Sequence, residues 1–290
     1  MRRNLFAWLT VGLVARMLGP DAAIAQTRRA DTTSYVRLIF VANCFTVAEN
    51  SAFRYAAANL VSDYERDTAS RQTIKRIYFD NARQIVDSIN HQRQLIRSVD
   101  FLSHSRDDRI GATVVKGNVQ YRTSLFESRR KMQEVQWHNA GGSLHNSYKM
   151  ASADEIDFSG FSYDAVIEIH GCHAGMEEDT LPVNICKRLS LGLYMSGKQL
   201  AVVIGHGTRA NPNQKKAMSR SGGSSATNSS GFKASVLSQD YRHGLRLVYF
   251  DGRAILATYQ PGAIPQPAII AAIVQAQNAP ARGARGAARN

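Results

Sequence analysis

Apolar residues in this chain fall into short unbroken runs, separated by longer stretches in which they recur every three or four positions. Residues 35–42 (YVRLIFVA) have strand length, and 48–65 carries spaced apolar residues among helix formers. The alternation continues with a strand predicted over 73–80 (TIKRIYFD) and an amphipathic helix over 81–96, with Ile85, Ile89 and Ile96 roughly on one stripe. A third strand follows over 98–105 (SVDFLSHS). After a less regular stretch, 106–159, the run at 165–170 (AVIEIH) predicts a continuous apolar strand. Residues 183–196 predict a helix ending at Gly197, and 200–204 (LAVVI) another buried strand. Residues 245–250 and 254–259, joined by Asp251-Gly252-Arg253, predict a hairpin. Strands that alternate with helices are covered on both faces, so the expected class is α/β with a mostly parallel sheet, helices on both faces, a C-terminal hairpin and a flexible tail. No repeat at a solenoid period is visible.

Both ends depart from this pattern. Arg2 and Arg3 precede an apolar run from Leu5 to Ala15, and Ala23-Ile24-Ala25 offers the small-x-small site of a signal peptidase. Residues 1–25 are therefore expected to be a cleaved secretory signal, with Gln26 first in an exported, periplasmic or secreted chain. The run is too short for the roughly 20 apolar residues of a membrane span, and 268–276 is shorter still, so no transmembrane segment is expected after cleavage. The predicted organisation is a signal at 1–25, one α/β domain at 26–260 with a flexible basic loop at 209–235, and a low-complexity tail at 261–290.

Charge narrows the partners. The chain carries a formal charge of +13, but much of it lies outside the predicted elements. Arg209, Lys215, Lys216, Arg220 and Lys233 lie in a stretch without acids, and Arg282, Arg285 and Arg289 lie in the tail. The small excess left on the domain does not make a dedicated nucleic-acid surface, although it permits weak contact with anionic surfaces. The cysteines are Cys44, Cys172 and Cys186, an odd set that cannot be a closed disulfide framework.

The carboxyl ends of parallel strands are where loops converge on ligands, and three of the predicted strands end in reactive residues. One ends Phe101-Leu102-Ser103-His104-Ser105, one Ile169-His170-Gly171-Cys172-His173-Ala174-Gly175, and one Ile204-Gly205-His206-Gly207. A thiol attacks as thiolate and an imidazole can take its proton, so His104 and Cys172 on neighbouring strand ends form a workable base and nucleophile. Backbone N–H groups of Ser105, Gly171 and Cys172 are candidate oxyanion donors. Segment 101–111 resembles the strand-Ser-His-Gly segment of the caspase-like cysteine peptidases, which include gingipain, clostripain and separase relatives. Segment 167–175 resembles that family's strand-Gln-Ala-Cys-Arg-Gly segment. The resemblance implies a caspase-like fold, His104 as base, Cys172 as nucleophile, a peptide or protein substrate, and no cofactor or metal. The sequence departs from the family at Ser105, which replaces glycine and is expected to narrow the cleft. It also departs in the gap between His104 and Cys172, which implies an insertion within 106–159.

Two other readings follow from the same residues. One is an inactive caspase-like binding module that uses the basic loop as a contact segment. The other is a metal protein using His170, Cys172, His173 and His206, or a chelatase-like one, since Gly205-His206-Gly207-Thr208-Arg209 resembles a segment of the tetrapyrrole metal chelatases.

Overall fold

The buried apolar runs pair side by side. The computed structural model describes residues 34–44, 47–67, 72–116, 119–140, 146–147, 149–176, 183–210 and 240–278, all within one compact unit. The expected signal, residues 211–235 of the basic loop and residues 279–290 of the tail lie outside the described residues. In chain order the elements are β1 Tyr35–Ala42, α1 Val47–Arg66, β2 Gln72–Phe79, α2 Ala82–Asn90, β3 Leu95–Leu102, β4 His104–Arg106, β5 Arg109–Lys116, β6 Val119–Phe126 and α3 Arg129–Ala140. They continue with β7 Asn146–Ser147, β8 Ala151–Ser152, β9 Phe161–Ile169, α4 Ile185–Met195, β10 Val202–His206, β11 Arg246–Phe250, β12 Arg253–Thr258 and α5 Gln266–Asn278.

The main sheet runs β12-β11-β10-β9-β3-β1-β2. Its strands from β2 through β10 are parallel, and β11 and β12 pair antiparallel as the expected hairpin. The fold is α/β with a mostly parallel sheet, consistent with the caspase-like layout. Strand neighbours point to opposite faces, and both faces are covered. Val203 packs with Ile185, Cys186, Leu189 and Leu193 of α4. Its neighbours Val202 and Ile204 pack with Ile269 and Ile273 of α5.

Three features differ from the sequence pattern. Helix α2 stops at Asn90, capped by His91, whose N–H reaches the carbonyls of Asp87 and Ile89, so Ile96 belongs to β3 rather than to the helix stripe. The stretch 106–159 is largely a second sheet, β4-β5-β6-β7 with β8 beside β6, whose Ile110, Ala112 and Val114 are buried with period two. Residues 266–278, expected in a tail with at most one short helix, are a helix of 13 residues packed on the sheet. Pro267 is tolerated there because a first-turn residue needs no intrahelical N–H partner, and Ala268 and Ile269 donate to the carbonyl of Pro265. Among the described residues no helix is long and apolar enough to cross a membrane.

Candidate active site

The β3–β9 pairing brings the two reactive segments to one edge. Phe101 lies opposite Ile169, and the N–H of His170 donates to the Phe101 carbonyl at 2.9 Å, extending the register one residue beyond the strand. After Leu102 the chain turns at Ser103 into β4, so His104 opens the second sheet instead of closing β3 as the apolar run predicts. After β9 the chain turns through Gly171 and Cys172, and the Ser105 hydroxyl donates to the Cys172 carbonyl at 2.9 Å. The residue after the candidate base thus touches the candidate nucleophile.

Ser105 packs against Gly171. It is buried, and a Cβ placed on Gly171 would lie 2.0 Å from its Oγ. Glycine at 171 therefore makes room for serine at 105.

The turn carrying Cys172 is pinned to the segment that follows β10. The His173 N–H donates to the Thr208 carbonyl at 3.0 Å and the Gly175 N–H to the His206 carbonyl at 2.9 Å. His173 itself has a left-handed backbone, φ 58°, a conformation histidine adopts more readily than most side chains. The half-buried Cys172 thiol donates to the Ala210 carbonyl at 3.5 Å.

His104 is exposed. Its Nε2 lies 3.0 Å from Glu49 Oε1 in the first turn of α1, and its ring meets Phe53 edge-on at 5.7 Å. A carboxylate only accepts, so the proton in this bond belongs to Nε2, and the neutral tautomer that fits this bond carries its lone pair on Nδ1. Phe53 also packs on Tyr241 at 5.9 Å. Burial first, and then the neighbouring Cys172, Cys44 and Glu49 side chains, push the Tyr241 phenol well above its ordinary range, so Tyr241 stays protonated beside both cysteines. Glu49, Phe53 and Tyr241 were invisible as site residues in the sequence. Only the position of Glu49, just beyond a strand's carboxyl end, is a usable signal.

The other cysteines are unlike Cys172, and all three are free thiols. Cys44 is buried, with its backbone clasped by Asn50 through bonds of 2.6 and 2.7 Å. Burial first, then the Glu49 charge, push its thiol up to about 12, against an opposing bond from the Thr113 backbone. Cys186 is wholly buried in α4, and burial raises its thiol further.

Behind the reactive edge lies a buried polar network. Asp100 pairs with His170 Nε2 at 2.9 Å and accepts from the Tyr64 hydroxyl at 2.6 Å. Arg246 donates to Glu168 at 2.8 Å and to the carbonyls of Gln260 and Gly262. His206 is buried among these groups, and desolvation, followed by the charges of His170, Arg246 and His243, lowers its imidazole to about 3. Among the described residues, His170, Cys172, His173 and His206 do not converge as metal ligands. The groups whose ligand atoms do converge are Cys44–Glu49–His104 and Asp100–Glu168–His170. The second of these sets is already committed to Tyr64 and Arg246.

No protein-family model and no curated protein matches this chain.

Proposed function

We propose that this protein is a caspase-like cysteine endopeptidase, with Cys172 as nucleophile and His104 as its base. The observation that carries the reading is the contact between the two motif segments, in which Ser105 binds the Cys172 carbonyl while His104 presents a lone-pair Nδ1 held in that tautomer by Glu49. In the reaction His104 Nδ1 takes the Cys172 proton and the thiolate adds to the peptide carbonyl. The oxyanion is met by the backbone N–H groups of Ser105, Gly171 and Cys172. Return of the proton to the leaving amine breaks the C–N bond and leaves a thioester, which water hydrolyses with the same base. Tyr241, kept protonated, adds a neutral wall to the site and no competing base.

A thiol-reactive peptide probe is expected to label wild-type protein and not Cys172→Ala, which should also lose turnover of a peptide library. His104→Ala should slow turnover on the order of a hundredfold or more. The reading fails if folded Cys172→Ala cleaves peptides as wild type does. The rival, a caspase-like module without turnover, draws on the thiol's engagement with Ala210, and predicts no labelling of folded wild type. Export belongs to the same proposal, and mass spectrometry of the exported chain should then find Gln26 first.

A further inference from the structure

The ligand atoms of Cys44, Glu49 and His104 lie within 4.8 Å of one another, a sulfur, an oxygen and a nitrogen contributed by the segment after β1, the first turn of α1 and the start of β4. We propose that these three residues bind a single Zn(II) ion that withdraws His104 from base catalysis. The inhibitory half rests on the peptidase reading, whereas the binding half does not.

The donor set selects the ion. Calcium and magnesium take oxygen ligands, whereas zinc accepts thiolate, imidazole and carboxylate together in a tetrahedron, with a fourth position left to water. Charge balances as well, since one thiolate and one carboxylate match the dication while the imidazole binds neutral. The three groups are already close to the separations that metal–ligand bonds of about 2.0–2.3 Å require. His104 and Glu49 stand 3.0 Å apart and need to open only slightly around the ion. Access is one-sided. The His104 side chain is 52% exposed and that of Glu49 38% exposed, while Cys44 closes the site from the core with its backbone fixed by Asn50. An ion therefore enters from solvent past His104 and Glu49 and meets the sulfur on the buried side.

Binding forms Zn–S, Zn–N and Zn–O bonds, and the Cys44 thiol proton leaves to solvent. Coordination through Nε2, the nitrogen already beside Glu49, moves the ring proton to Nδ1. The atom assigned to take the Cys172 proton then carries one itself, and the dyad is switched off without contact between metal and Cys172.

Reduced, metal-free full-length protein titrated with Co(II), a spectroscopic substitute for zinc, should give a sulfur-to-cobalt charge-transfer band that saturates at one equivalent. The band should vanish in Cys44→Ser and in Cys44→Ala, whose folding is checked by circular dichroism. It should persist in Cys172→Ala. Glu49→Gln should keep the band with weakened affinity, since the amide oxygen is a poorer ligand than the carboxylate. Zn(II) should abolish wild-type peptidase activity reversibly to a chelator and leave Cys44→Ala active. The absence of a band, its survival in both Cys44 variants, or its loss in Cys172→Ala would overturn the site. Activation by zinc, or equal inhibition of Cys44→Ala, would overturn the switch. If no sample cleaves peptide, the peptidase reading falls, and the cobalt spectrum still decides whether the site exists.

Discussion

Two histidine–carboxylate pairs in this fold have nearly the same bond and opposite surroundings. His104–Glu49 spans 3.0 Å with both side chains well exposed, and His170–Asp100 spans 2.9 Å with both side chains 1% exposed. Geometry alone would give them one role. An exposed pair contributes about 0–1 kcal/mol, because water competes for both partners. A buried one leaves a stranded polar group when broken, at a cost of about 3–5 kcal/mol. The exposed pair can therefore be disturbed at little expense to the fold, whereas the buried pair holds β3 to β9 behind the turn that carries Cys172.

The contrast can be broken experimentally. Asp100→Ala should lower unfolding free energy by about 3–5 kcal/mol in urea denaturation, since both His170 and Tyr64 lose their acceptor. A loss under about 1 kcal/mol would erase the distinction between the pairs. Gly171→Ala should destabilise by about 1–3 kcal/mol through overpacking against Ser105. Adding Ser105→Gly should recover part of that, the remainder reflecting the Ser103 carbonyl 2.8 Å from the new Cβ. Strictly additive effects in the double-mutant cycle would show that the two positions do not share volume. Glu49→Gln should change stability by less than about 1 kcal/mol and slow peptide turnover roughly tenfold, about 1.4 kcal/mol of barrier. An unchanged rate and pH profile would deny Glu49 its positioning part.

A third histidine sharpens the contrast, because His206 is buried without a carboxylate. Its imidazole protonates near 6.5 in the unfolded chain and only at about 3 in the fold. Between those values the unfolded state binds more protons, so this group's contribution is complete above pH 6.5 and is lost as pH falls toward 3. Denaturation midpoints for His206→Gln should therefore fall less steeply over that interval than those of wild type. Parallel curves would place the acid sensitivity elsewhere.

What the sequence discloses follows from how locally each feature is encoded. Strands β1, β9 and β10 are continuous apolar runs because both their faces are covered, and they are readable without knowledge of any partner. The hairpin is readable from Asp251-Gly252, both of which take positive φ. The second sheet is hard to read locally because Arg109–Lys116 mixes its period-two burial of Ile110, Ala112 and Val114 with Gly111 and polar neighbours. That pattern becomes decisive only once β6 lies beside it. Helix α5 is only partly legible, since the low-complexity composition after Pro261 suggests a tail with at most one short helix, whereas the helix runs 13 residues. At the site, His104 and Cys172 were legible as residue types at strand ends. Glu49 was not, because it meets His104 across 55 positions and its place beyond a strand end does not name that partner. The compensation between Ser105 and Gly171 was visible only as two separate departures, and their shared volume exists only in three dimensions.

Gly205 of β10 lies close against Cys186 of α4. A Cβ at 205 would sit 2.5 Å from Cys186 Sγ, so that thiol is sealed beneath the sheet where no alkylating reagent reaches it. Cys172, half-buried at the edge, should react from the folded state, whereas Cys186 should react only when α4 lifts off β10. Followed by mass spectrometry, the slow disappearance of the Cys186 thiol would serve as an internal clock for opening of the fold, running in the same tube as the fast labelling of Cys172.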